Sequence, residues 1–246
     1  MNDPKRGSLA RKVSGLLSKK RVLSADKRIT VAFPNGKFFY LRNSGLENRI
    51  IFSSKEDFDR FEAYLYLLNA VESARAANFF VGGREAGIFT SARGEPLIAL
   101  GAYSITPTDF HLIATPRIEG GIGKFMQKLQ TAYTMYFNRK YQHAGRIFHG
   151  AYSANAADSH AHLKYLFANV HLNPARLFDK YWDESVGNEF ESLASKAMQY
   201  RYSSAGEYAK SKFVICAPRD FPLYLLRAKN AAVHVRFWLQ HKKENL

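Results

Sequence analysis

The chain has 246 residues, 36 Lys+Arg against 21 Asp+Glu, a formal charge of +15, and a hydrophobic content of 46% with 14% aromatics. That composition excludes a disordered chain, and the length lets a fold bury roughly three-quarters of the surface its unfolded form exposes, so no metal staple or disulfide lattice is required. Cys216 is the single cysteine, which excludes an internal disulfide framework and points to an intracellular, cytoplasmic protein. Charged residues break every apolar run before the ~18 residues a membrane helix needs, so no membrane partner is expected. The positive excess calls for an anionic partner, of which nucleic acid is the commonest large one.

In chain order, residues 1–27 read as a basic arm. Leu9, Val13, Leu16 and Leu17 fall on one side of a short amphipathic helix, and Arg11, Lys12, Lys19, Lys20 and Arg21 are among the cations around them. The arm has no apolar core of the secretory kind, while a transit peptide remains open on composition alone. From Arg28 to Asn43 the chain turns β-branched and aromatic around Pro34-Asn35-Gly36, predicting a strand pair or one strand with a lead-in. Ser53 stands three residues before Glu56 in the pattern of a capping box, and Phe58, Phe61, Leu65 and Leu68 follow at helical spacing, predicting a helix of about five turns.

Residues 82–96 are polar and Gly-rich and read as a long loop. Two apolar runs, EPLIALGAYSITP and DFHLIATP, are separated by Pro107 and Thr108 and predict adjacent strands of a buried sheet. After Gly120 and Gly121, the stripe Ile122, Phe125, Leu129, Ala132 and Tyr136 predicts a helix with Lys124, Lys128, Arg139 and Lys140 on its other faces. A further helix is predicted over about 159–173, with Leu163, Leu166, Phe167 and Val170 as its apolar face and Pro174 as its stop. The order β, α, β, β, α, α predicts an α+β fold with a mostly antiparallel central sheet and packed helices.

Six segments, taken in order, resemble the REP-associated tyrosine transposases, a branch of the single-tyrosine HUH transposases acting on single-stranded DNA hairpins. They are RITVAFPNGKFFYLRN, ENRIIFSSKEDFDRF, AYSITPTDFHLIATP, KFMQKLQTAYTMYFNRKYQHAGRIFHGAY, LFANVHLNPARLF and YRYSSAGEY. The most specific stretch is KLQTAYTMYFNRKY followed by GRIFHG and HLNPAR. The resemblance covers about residues 28–208. It implies a ferredoxin-like or RRM-like HUH core there, with the basic arm before it and a helical extension over 209–246. It also disfavours a transit peptide.

What the resemblance implies chemically is a pair of histidines, spaced by one on a strand, that hold Mg²⁺ or Mn²⁺, and a helical tyrosine that attacks the scissile phosphate. A hard cation polarises a phosphoryl oxygen while a positioned hydroxyl supplies the nucleophile, and alternation puts residues i and i+2 on one strand face. Here the first histidine position is Asp109 and the second is His111. Asp and His at this spacing are acceptable ligands for Mg²⁺ or Mn²⁺, and Asn173 matches a residue that can complete the metal shell. The family tyrosine position is Asn169, whose amide is no nucleophile. Tyr165, one turn earlier and about 6 Å away on the same side, is the candidate substitute, set against its reading as a half-buried aromatic with a surface hydroxyl. Asp109 equally reads as a turn residue capping its own backbone.

DNA contacts are expected from Lys124, Lys128, Arg139, Lys140 and Arg146 together with the arm, because basic groups neutralise phosphates and release counterions. Interleaved Tyr133, Tyr136, Tyr141 and Phe148 offer rings for unpaired bases, or pack in the core. The sequence thus predicts a protein that binds single-stranded or hairpin DNA, as a monomer or homodimer, and is deficient in strand cleavage. The alternatives are an active transposase or nuclease using Asp109, His111 and Asn173 for metal with Tyr165 or water attacking, and an RNA-binding or interaction protein on the same scaffold.

Overall fold

Four short strands form one antiparallel sheet: β1 (Phe39–Ser44), β2 (Ile98–Thr106), β3 (Asp109–Pro116) and β4 (Ser153–Ala156), in the order β2-β3-β1-β4. The computed structural model describes residues 36–72, 80, 85–185 and 187–244, without the side chains of 85, 86 and 240–244. The arm cations Arg11, Lys12, Lys19, Lys20 and Arg21, and the strand expected before Pro34, lie outside the described residues.

Helix α1 (Lys55–Leu67) joins β1 to β2, and α2 (Gly121–Tyr141) joins β3 to β4. This is the βαββαβ connectivity of a split βαβ unit, and it is an α+β architecture as the element order predicts. Pro107 and Thr108 turn the β2–β3 hairpin, whose register runs from Thr106 opposite Asp109 to Ile98 opposite Pro116. After β4 come α3 (His160–Leu172), a 3-10 turn (Asn173–Leu177), α4 (Gly187–Met198), α5 (Ala205–Lys210), α6 (Leu223–Leu226) and α7 (Ala231–Glu244).

Strand alternation sorts side chains to two cores. Phe39 and Leu41 of β1 join Phe110, Leu112 and Ala114 of β3 beneath α1 and α2. Tyr40 and Ile113 point the other way, into a second core with Leu163, Leu166, Phe167 and Val170 of α3 and Val235, Phe237 and Trp238 of α7. Each such apolar side chain, fully buried, contributes roughly 1.5–3 kcal/mol. The residues 209–244 therefore supply part of the layer over the second sheet face. Gly101 sits at a register shift in β2, where a Cβ would come 2.6 Å from the Phe221 ring; glycine lets that ring lie against the strand.

Two expectations shift. The capping box belongs to Ser54 and Asp57: Asp57 N donates to Ser54 Oγ at 3.3 Å and Ser54 N to Asp57 Oδ2 at 2.9 Å. The buried carboxylate of Asp57, anchored by Tyr136, Lys140 and Tyr141, fixes the cap one residue later than the expected Ser53 and Glu56. The helix is also shorter, 13 residues, because the Asn69 amide turns back to pair with the backbone of Ile98 at 3.0 Å in both directions. Within the expected loop, Glu85–Thr90 forms a 3-10 turn. In α2 the buried stripe is Ile122, Phe125, Met126, Leu129, Tyr133 and Phe137, so it leans by one residue from the predicted one.

Candidate nucleic-acid interface and the Asp109 site

The long helix α2 ends with Arg139 and Lys140 in its last turn, where cations complement the negative end of the helix dipole. Its basic residues divide into two sets. Lys128 Nζ donates to the carbonyls of Ala70 at 2.7 Å and Val71 at 3.2 Å. Lys140 Nζ meets Asp57 Oδ1 at 2.7 Å, Ser54 Oγ at 2.8 Å and Glu56 Oε2 at 3.0 Å. Lys140 thus braces α2 against the start of α1, and Lys128 braces it against the segment that follows α1. Lys124, Arg139 and Arg146 are exposed and form no salt bridge among the described residues. Of the interleaved aromatics, Tyr133 and Phe148 are core residues, and the Tyr136 and Tyr141 hydroxyls donate to Asp57.

A groove of ≈ 410 Å³ runs between α2 and the segment before β4, with Gln127, Gln130, Thr131, Thr134, Met135 and Arg146 among its lining. Asn43 secures its floor by donating to Gln130 Oε1 at 2.6 Å and to the Gly150 carbonyl at 3.1 Å. Amide and hydroxyl groups next to a guanidinium offer hydrogen bonds without a competing carboxylate.

On the opposite sheet face, the pleat and register gather Tyr40 and Arg42 of β1 with Asp109 and His111 of β3, Arg42 standing opposite His111. The end of α3 and the following turn lie over them. Asn169 Nδ2 donates to the Tyr40 hydroxyl at 3.3 Å, and Tyr40 in turn bonds His111 Nδ1. A phenolic hydroxyl both donates and accepts, so this bond forms with either tautomer of the ring, whose other nitrogen is Nε2. That nitrogen lies 3.2 Å from Asp109 Oδ1, in a contact poorly aligned for a hydrogen bond. Thr106 Oγ1 donates to Asp109 Oδ1 at 2.7 Å. Arg176 Nη2 binds Asp109 Oδ2 and donates to Thr106 Oγ1 at 2.6 Å.

The electrostatics follow from this packing. Burial pushes the Asp109 carboxyl up, but His111 and Arg176 more than reverse that and hold it well below the usual carboxylate range. Burial raises the Tyr40 hydroxyl far above its ordinary value, against the opposing pull of Arg42 and Arg176. Burial also raises Tyr165, with Asp183 adding to it, so the hydroxyl is protonated at neutral pH. The Tyr165 ring lies against Trp238 of α7, centroids 4.9 Å apart.

The structure thus brings Asp109, His111 and Asn169 into one site, connected through Tyr40, while Asn173 opens the 3-10 turn with its Nδ2 buried and unpaired among the described residues. A divalent cation would need lone pairs that these residues have already engaged. Asp109 accepts from Thr106 and a guanidinium, and the Tyr40 hydroxyl engages His111 Nδ1. As arranged, the Arg176 guanidinium stands at the carboxylate that a metal cation would take. Tyr40, Arg42 and Arg176 are site residues that sequence reasoning overlooked. Alternation along β1 was the signal for the first two; Arg176 stood in the HLNPAR segment, but nothing in the spacing tied it to Asp109.

No family model matches the chain, and no curated protein matches it. A solved structure of a REP-associated tyrosine transposase bound to a REP hairpin aligns over 79% of this chain and 91% of that one, at 10% identity and a TM-score of 0.43. At that score the likeness is distant and partial, and the site stands on its own residues.

Proposed function

We propose that the chain is a DNA-binding protein related to the REP-associated tyrosine transposases, that it recognises single-stranded or hairpin DNA, and that it does not cut it. The observation that carries this reading is the hydrogen-bonded chain on the second sheet face. At the positions matching the family's first metal ligand and its tyrosine, Asp109 is bound by Arg176 and Asn169 donates to Tyr40. Both groups take part in internal pairing, and neither supplies the chemistry of a phosphotyrosyl transfer.

Binding is supported by the formal charge of +15 and by the exposed cations Lys124, Arg139 and Arg146 along α2 and the groove beside it. Lys128 and Lys140 hold that helix in place. The N-terminal arm adds charge that neutralises phosphates. In this reading Asp109, His111 and Asn173 are structural, no Mg²⁺ or Mn²⁺ is used, and Tyr165 is a packing residue beside Trp238.

The test is incubation with single-stranded hairpin oligonucleotides and Mn²⁺, followed by native and denaturing gels. A retarded complex with intact DNA is expected. A covalent adduct that Tyr165→Phe abolishes would establish the transposase alternative, cleavage without an adduct would make water the nucleophile, and preference for a matched RNA hairpin would move the protein to RNA.

A further inference from the structure

The Asp109 site differs from a metal centre in one respect that suggests a use of its own. The cation beside the carboxylate is covalently part of the chain. Arg176 directs Nη2 at Asp109 and Thr106, which leaves its Nε and Nη1 hydrogens outside that pair. Its side chain is 32% exposed, against 11% for Asp109. Arg42 stands on the same face, opposite His111 in the register; it is exposed and forms no salt bridge among the described residues. His111 Nε2 lies 3.2 Å from the Asp109 carboxylate that Arg176 binds, so the two guanidiniums border the same pair of β3 residues. The charges on these paired residues are two guanidiniums and the Asp109 carboxylate. The balance is positive.

We propose that Arg42 and Arg176 form a metal-independent binding site for a DNA phosphodiester, in which Arg176 both neutralises Asp109 and presents its outer N–H groups to the phosphate. A planar guanidinium suits this task because its donors match phosphate oxygens in pairs. The inference deepens the DNA-binding reading and rests on it: it places a backbone phosphate on the second sheet face, apart from the groove beside α2. Asp109 serves as a positioning residue that holds Arg176 in place.

The test uses the full chain and a fluorescein-labelled single-stranded hairpin oligonucleotide, with affinity read by anisotropy over a salt series. Wild type is expected to bind equally in EDTA and in Mn²⁺. Arg42→Gln, which removes an exposed side chain, is expected to weaken binding by about tenfold and to reduce the salt slope by about one. The pair Arg176→Gln with Asp109→Asn leaves no buried charge unpartnered and is expected to do the same, at a melting temperature close to wild type. A control exchange of exposed Arg219→Gln is expected to leave both readings near wild type. If EDTA abolishes wild-type binding, or if Arg42→Gln binds as wild type does, or if the control loses as much, this proposal fails while the DNA-binding reading stands. If wild type binds no hairpin at all, both fail together.

Discussion

The guanidinium of Arg176, from the turn after α3, closes on the carboxylate of Asp109 at the start of β3, 67 residues away in sequence. It joins the helix layer to the sheet at the point where the resemblance places a metal ligand. Burial on one side and hydrogen bonds from Thr106 on the other fix the carboxylate in that pairing.

Arg176→Ala should therefore be strongly destabilising. It leaves Asp109 buried without its counterion, a change that costs about 3–5 kcal/mol. Adding Asp109→Asn should recover part of the loss, since the neutral amide keeps shape without charge. Urea denaturation of the two single variants and the double variant measures the coupling; strict additivity would show that the pair does not interact.

Lys140→Met should alter the acid limb of stability. Burial pushes the Asp57 carboxyl up, but bonds from Lys140, Tyr141 and Tyr136 bring it down to about 2, against about 3.9 in an unfolded chain. The folded value is the lower one, so the stabilisation is complete above about pH 4 and disappears as pH falls toward 2, an amount of roughly 2 kcal/mol. Removing the ammonium should lower stability at pH 7 and flatten the curve in that window. A variant curve parallel to wild type would contradict the role given to Lys140.

The buried pair His171 and His234 should make the second core acid-sensitive at a milder pH. Burial holds His171 well below its ordinary value and His234 down at about 4, whereas an unfolded histidine titrates near 6.5. Only the unfolded state takes up these protons between those values, so stability is complete above about pH 6.5 and falls as pH drops toward 4. His234 stacks on Phe167 at 5.5 Å, and His234→Phe preserves that contact. It should flatten the decline between pH 6.5 and 4 in denaturant melts, and an unchanged slope would count against the assignment.

Deleting residues 1–27 should lower hairpin affinity and reduce the dependence of log K on log salt, because fewer counterions are released. The measurement is the same anisotropy series on the shortened chain. An unaltered slope would remove the arm from the interface.

Much of the fold is legible in the primary structure because its signals are local. The Pro107-Thr108 turn between two apolar runs, the start of α3 near 159 and its end before Pro174 each depend on neighbouring residues, and each stands where it was expected. Net charge and the positions of Asp109 and Asn169 are equally fixed by sequence alone. The partner of each polar group was decided only in three dimensions. The cap falls on Ser54 and not on the expected Ser53 because Lys140, 83 residues beyond Asp57, anchors that carboxylate. Lys128 and Lys140 find partners in the Ala70 and Val71 carbonyls and in the acids of α1. Asp109 and His111 take their partners from a different strand and turn, Arg176 for the first and Tyr40 for the second. The physical reason is that a buried charge or lone pair must be satisfied by whatever the fold brings within about 3 Å, and strand register and helix placement, rather than spacing along the chain, determine what that is.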